Sequence, residues 1–275
     1  MKRILLLGAN GMFGQDAFEI FTASGYMVLK AGRGECDVTN RELVQKFFYK
    51  NDFDLVINAA AYTKVDDAES HKAEAFAVNA EGAKNVAEAA NKKSVPVVFI
   101  STDYVFDGEK TSPYEVGDKT NPLSVYGASK LRGEENTRAA NLQHYIIRTS
   151  WLYGKNGKNF VDTMLNMAKS QKVIRVVNDQ FGCPTWTHDL AFGIKKIIEE
   201  KTPFGTYHVC GGGVTSWYEF AKKIFEIAAV DVSVTPVSTS EFPRPARRPK
   251  FSAMKNDGMC RDWREALEKY LTSSR

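Results

Sequence analysis

Three tyrosines in this chain are followed four residues later by a lysine: Tyr26 and Lys30 in "YMVLK", Tyr126 and Lys130 in "YGASK", Tyr218 and Lys222 in "YEFAK". Such a pair can do acid–base chemistry. A phenol, with a pKa of about 10, is a poor acid or base at neutral pH unless a nearby cation stabilises its phenolate. Beside a carbonyl that accepts hydride, the tyrosine supplies the proton, and another hydroxyl can polarise the same carbonyl. At most one of the three pairs can be the centre of a site.

Local structure separates them. Along a strand, four residues span ~13 Å, so Tyr26 and Lys30, in an apolar run at 26–31, cannot tune one another. On a helix, positions i and i+4 meet, which keeps the other two pairs in play. Tyr218 and Lys222 fall in "TSWYEFAKKIF", an amphipathic helix with a capping Thr or Ser, far in sequence from the N-terminal glycine turn. Tyr126 and Lys130 fall in "NPLSVYGASK", a helix expected to begin near Pro122. Small neighbours there let a flat ring and a sugar approach. The strand before it ends in "FISTDYVFDG", where Ser101 and Thr102 both offer the second hydroxyl.

The elements that must position these groups alternate in kind. Buried-strand patterns occur at 3–8, 26–31, 54–61, 95–101 and 144–150, with helical patterns at 14–25, 40–51 and about 70–93 between them. Parallel strands need crossover helices, so this order predicts an α/β, Rossmann-type doubly wound parallel sheet. Beyond residue 150 the alternation loosens. Helices are expected at 158–170, 188–201, 216–229 and 261–272, strands at 172–178 and 205–213, and a loop over "PVSTSEFPRPARRPK". The expected division is a dinucleotide-binding part over 1–150, with later segments returning to it, and a smaller α/β substrate-binding part over 151–275.

The first strand runs into "GANGMFG", with Gly8, Gly11 and Gly14, and then into a helix. Glycines in that place allow a tight turn and bring backbone N–H groups up to a pyrophosphate. The second strand is followed by "KAGRGECDV": Arg33 stands where an acidic residue would favour NAD, which tilts the expectation to NADP(H), with NAD(H) as the alternative. Asp37 and Val38 then lie beside the adenine. "INAAAYTKVDDAE" ends the third strand in small residues that leave room for a cofactor. Asp66, Asp67 and Glu69 could suggest a metal, but carboxylates at a helix start favour the helix dipole, and no metal is expected.

Composition narrows the class. The net charge of +4 over 275 residues, with both signs interspersed, argues against a nucleic-acid partner. No apolar run approaches the ~20 residues that span a bilayer, and "MKRILLLGANG" is too short to act as a signal peptide. Cys36, Cys183, Cys210 and Cys260 are scattered without a CxxC, as expected of reduced thiols in the cytoplasm.

The chain resembles the extended short-chain dehydrogenase/reductases. The resemblance runs through "GANGMFGQ", "DLVINAAAYTKVDDAE", "VNAEGAKNVAEAA", "VFISTDYVFDG", "NPLSVYGASKLRGE", "IIRTSWLYG", "VVNDQFGCPTWTHDLA", "GTYHVCGGGVTSWYEFA" and "ARRPKFSAMKN". It implies a catalytic triad of Thr102, Tyr126 and Lys130. It implies a cofactor site at Gly11, Met12, Phe13, Asp37, Val38, Ala61, Tyr62 and Thr63, shared with Tyr126 and Lys130, to which the glycine turn and the ends of the second and third strands add Gly8, Asn10, Arg33, Ala59 and Ala60. Val65, Thr102, Asp103, Tyr104 and Trp151 would face a nucleotide sugar, whose keto group is reduced. Arg247 and Arg248 are candidates for its diphosphate, since a guanidinium fork suits that geometry. Related dehydratases carry an acidic residue after Thr-Asp; Tyr104 fills that place here, which argues against elimination. An epimerase of the same fold and a non-catalytic NADP-binding regulatory subunit are the alternatives, and a homodimer is left open.

Overall fold

The computed structural model describes residues 2–273. In chain order its strands are β1 (Arg3–Leu7), β2 (Met27–Ala31), β3 (Leu55–Asn58), β4 (Val97–Thr102), β5 (His144–Thr149), β6 (Leu152–Tyr153), β7 (Val173–Val177), β8 (Phe181–Gly182), β9 (Thr185–Trp186), β10 (Gly205–His208), β11 (Thr215–Ser216) and β12 (Ser233–Val237). The helices are α1 (Met12–Ala23), α2 (Arg41–Lys50), α3 (Asp67–Ser70), α4 (Lys72–Phe76), α5 (Gly82–Lys92), α6 (Val125–Ala140), α7 (Phe160–Ala168), α8 (Thr187–Glu199), α9 (Trp217–Ala228) and α10 (Trp263–Ser273).

Six strands form one parallel sheet in the order β10-β5-β4-β3-β1-β2. Because successive strand residues point to opposite faces, β1 feeds two cores. Ile4 and Leu6 pack with Phe13, Ala17 and Phe21 of α1 and Leu190, Ile194 and Ile197 of α8. Leu5 and Leu7 pack with Val44 and Phe48 of α2 and Val86 and Ala90 of α5. Apolar runs buried on both faces are what a parallel sheet requires. Its sixth strand, β10, comes from beyond residue 150 and pairs with β5. A third core joins Val161 and Met164 of α7, Ile174 and Val176 of β7, Phe220 and Ile224 of α9, and Trp263 and Leu267 of α10.

The strand order reverses between β1 and β3, where ligands of doubly wound sheets bind outside the carboxyl ends of the strands. Gly8 follows β1 and Ala59 follows β3, so both expected cofactor segments lie at this point.

Some elements differ from expectation. The helix expected over about 70–93 is divided: His71, at φ −116° and ψ 43°, separates α3 from α4, and a π-helical turn over Ala77–Glu81 precedes α5. The helix expected near Pro122 starts at Val125, because the Ser124 hydroxyl accepts the Gly127 N–H at 3.1 Å and caps it. The Pro-rich stretch expected as loop begins inside β12, which takes in Pro236 and Val237. Proline is tolerated there because β12 is paired on one side only, with β7.

Candidate active site

Gly8 turns the chain out of β1 at φ +73°, and a Cβ on it would stand 2.6 Å from the Ala59 carbonyl carbon and the Ala60 nitrogen. Only glycine allows the two segments to approach this closely. The amide of Gly11 returns to the Gly8 carbonyl at 3.0 Å, and α1 begins with Gly11 as N-cap and no side-chain cap bond. The uncapped N–H groups at the start of α1 carry partial positive charge and suit a pyrophosphate. The residues present therefore fit a dinucleotide. Asn10 reaches across to Gly32 at the end of β2, and Met12 meets the segment at Gly157. Phe13 sends its ring into the core, leaving its backbone to the turn.

At the adenine end, Arg33 is 84% exposed and its Nε donates to Asp37 at 3.1 Å. Burial raises the Asp37 pKa, but bonds from the Thr39 hydroxyl and N–H and from Arg33 outweigh it and hold the carboxyl below its ordinary range. Val38 is buried, and its carbonyl accepts the Asn85 amide at 2.9 Å. Ala59, Ala60, Ala61 and Tyr62 are half-buried after β3, and Thr63 is exposed.

Residue Asn79, in the π-helical turn and fully buried, ties this wall to the next. Its side chain accepts the Tyr62 N–H at 2.8 Å, and its Nδ2 donates to the Tyr62 carbonyl and to Ser129 Oγ at 3.1 and 2.9 Å. Ser129 Oγ donates in turn to the Tyr126 carbonyl at 2.8 Å. Asn79 thus clamps the cofactor loop to the first turn of α6. It stands in "VNAEGAKNV", where two amides, Asn79 and Asn85, interrupt an Ala-rich helix and the sequence does not tell them apart.

Of the two hydroxyls at the end of β4, Ser101 is turned away: it donates to Glu134 Oε1 at 2.6 Å, beside the buried Glu134–Arg148 ion pair. Thr102 faces α6. Burial pushes the Tyr126 phenol up to about 12, and the neighbouring Thr102 hydroxyl opposes the rise. Lys130, one turn on and 2% exposed, donates to the Ile100 carbonyl at 2.5 Å and lies over the Phe99 ring. Burial lowers its pKa to about 7, against the pull of Glu134. The side chains acting on Tyr126 in this structure are therefore Thr102 and Asp103, while the Lys130 ammonium is held by backbone. The other two pairs do something else. Tyr26 donates to Glu199 at 3.2 Å and Lys30 covers Phe18; Lys222 lies over Tyr218 and pairs with Glu219.

Tyr104 meets Tyr126 edge to face at 5.9 Å between ring centres. Beyond it opens a cavity of about 1570 Å³, lined among others by Tyr104, Leu123, Met164, Trp217, Arg247 and Arg248. Val65 is half-buried. Trp151 is held at φ +47° and stacks flat on Trp217 at 3.5 Å. A Cβ on Gly182 would lie 2.4 Å from the Trp151 indole, so β8 needs a glycine to seat that ring. The motifs of Trp217 and Gly182 were visible in the sequence; their contact with Trp151 was not.

Three expectations are corrected here. Arg248 is not free for a diphosphate: its fork bonds both oxygens of Asp66, Nη2 at 2.8 Å, and the Ala246 N–H joins at 3.2 Å. Asp66, expected to serve a helix dipole, is spent on that pair, which holds its pKa below the usual range. Glu69 likewise accepts the Val125 N–H at 2.8 Å. Asp103 does not face the cavity; it is 2% exposed, with both oxygens bonded to protein hydroxyls.

The comparisons with known proteins agree with this geometry. The family model described as RmlD substrate binding domain matches residues 1–275. A dTDP-4-dehydrorhamnose reductase of Mycolicibacterium smegmatis is 39% identical over 97% of this chain and 84% of its own length. The crystal structure of a dTDP-4-dehydrorhamnose reductase from Clostridium acetobutylicum superposes with a TM-score of 0.96 at 44% identity, covering 98% of this chain and 99% of that one. The reductase from Bacillus anthracis, solved in complex with NADP, gives 0.95 at 40% identity, covering 99% of each chain.

Proposed function

We propose the following reaction for this chain, which belongs to the RmlD substrate binding domain family: NADPH-dependent reduction of the C4 keto group of dTDP-4-dehydro-6-deoxy-L-mannose, giving dTDP-L-rhamnose. The observation that carries the reading is the placing of Thr102, at the end of β4, beside the Tyr126 phenol, whose ring meets Tyr104 in the cavity wall. Relatives of nearly the same length and fold are reductases of this kind.

NADPH bound along the glycine turn supplies the hydride. The start of α1 holds its pyrophosphate, and Arg33, exposed at the end of β2, is available to a 2′-phosphate by exchanging its Asp37 partner. Tyr126 gives its phenolic proton to the oxygen at C4 as negative charge develops there. Thr102 polarises the same oxygen, which is worth most in a site that excludes water. Lys130 holds the ribose and stabilises the phenolate left behind, exchanging its bond to Ile100 for these partners. Trp151, braced by Trp217, forms a flat wall for the sugar. Residues 1–150 with β10 would serve the cofactor and the remainder of 151–275 the nucleotide sugar.

Arg247 is exposed and lines the cavity, so the diphosphate falls to it rather than to Arg248. Arg247→Ala is expected to raise KM for the nucleotide sugar about tenfold with little change in kcat, as for one lost charge-assisted contact. Equal losses in kcat and kcat/KM would instead place Arg247 in the chemical step. Gly182→Ala should displace Trp151 from Trp217, raise KM, and alter tryptophan fluorescence in the substrate-free protein.

The reaction is tested by mixing protein, NADPH and dTDP-4-dehydro-6-deoxy-L-mannose and following loss of the reduced nicotinamide absorbance. Consumption that depends on the sugar supports the reading. Epimerisation of the sugar with no net NADPH consumption overturns it. A cytoplasmic location belongs to the same proposal. It is supported by four cysteines that are all free, and among the described residues no helix is long and apolar enough to cross a membrane.

A further inference from the structure

Asp103 follows Thr102 directly, and its carboxyl is enclosed by protein. Thr102 Oγ1 lies 3.0 Å from Oδ1, and Ser252 Oγ lies 2.5 Å from Oδ2. Thr102 Oγ1 also accepts the Tyr104 N–H at 3.2 Å. A count of protons shows what this arrangement permits. A carboxylate is acceptor-only, and a threonine hydroxyl has a single proton. If Asp103 is ionised, that proton must point at Oδ1, and Thr102 has only a lone pair left for the site. In that state it cannot polarise a keto oxygen. If Oδ1 carries a proton, it donates to Thr102 Oγ1, and the threonine's own proton is free to point at the substrate.

We propose that Asp103 works as a neutral carboxylic acid, a positioning residue that donates to Thr102 Oγ1 and turns the threonine hydroxyl toward the C4 oxygen. The proposal rests on the reductase reading for its substrate. Thr102 and Tyr104 flank Asp103 on its own element, Tyr126 faces it from α6, Cys210 from the segment after β10, and Ser252 from the segment before α10. None of these brings a positive charge, and Arg248, the cation that acts on Tyr104, is paired with Asp66. Burial raises the Asp103 pKa to about 7, with the Ser252 and Thr102 hydroxyls opposing the rise. The sign follows: the acid is neutral below that pH, and above it the carboxylate draws the Thr102 proton back and the rate falls.

The test compares wild type, Asp103→Asn, Asp103→Ala and Ser252→Ala, each as the full chain with NADPH. The infrared difference spectrum between wild type and Asp103→Asn below pH 7 is expected to show the C=O band of a protonated carboxylic acid, which titrates away at alkaline pH. In the pH dependence of kcat/KM, Asp103→Asn, whose amide always donates, should lose one proton from the alkaline limb. Ser252→Ala removes a donor to the carboxylate and should move that limb to higher pH. Asp103→Ala should lose about 100-fold, as for one oxyanion donor, and Asp103→Asn markedly less. Absence of the carboxylic band overturns the proposal, as does an alkaline limb unchanged in both Asp103→Asn and Ser252→Ala. If wild type fails to reduce the sugar at all, the reductase reading falls, and the infrared comparison still decides the state of Asp103.

Discussion

Tyr126→Phe is expected to lower kcat by about 10²–10⁴-fold, the usual worth of a positioned general acid, while NADPH still binds. The phenol is the group beside Thr102 that can give the C4 oxygen its proton, and phenylalanine has none. The ring itself is kept, so its edge contact with Tyr104 and the Ser124 cap of α6 persist. Stability should change little, and the loss should appear in kcat rather than KM. Steady-state kinetics with titration of NADPH fluorescence measures both. A variant with full rate would remove Tyr126 from the role given to it.

Lys130→Met is expected to separate activity from stability. Loss of the ammonium should cost about 100-fold or more in kcat, since no other cation among the described residues acts on Tyr126 to support its phenolate. The fold should become more stable at neutral pH. Lys130 is 2% exposed and its pKa is lowered by burial from 10.5 to about 7. Between those values the unfolded chain binds a proton that the folded chain does not, so wild-type stability rises with pH across that window. Methionine fills nearly the same volume without a buried charge, and it should raise the melting temperature near pH 7 and remove that part of the rise. Thermal denaturation from pH 7 to pH 10 checks the sign. A less stable variant would mean that the bond to the Ile100 carbonyl outweighs the cost of burying the ammonium.

The parts of the proposed site that local pattern could reach were legible before any coordinates. The glycine turn after β1, the small residues after β3, and the choice of Tyr126 and Lys130 over two decoys follow from strand and helix periods and from order along the chain. What stayed hidden depends on contacts between distant segments. Arg248 reads as a free cation in an Arg-rich loop, because its partner Asp66 stands 182 residues away. Ser101 and Thr102 are equivalent as neighbours in sequence. They differ once β4 sends one side chain to Glu134 and the other to Tyr126. Asp103 reads as a ligand for the sugar until Ser252, 149 residues later, is seen to close over it. The division of the helix over 70–93 also escaped, since good helix formers do not reveal where a π-helical turn will set Asn79 inward.

The most direct test of the central claim is to follow the transferred hydrogen. Wild-type protein is given dTDP-4-dehydro-6-deoxy-L-mannose and NADPH deuterated at the nicotinamide C4, and the sugar product is read by NMR and mass spectrometry. The account predicts dTDP-L-rhamnose carrying one deuterium at C4, in amounts matching the NADPH consumed and nearly abolished in Tyr126→Phe. Product without deuterium at C4, or deuterium at any other carbon, contradicts it.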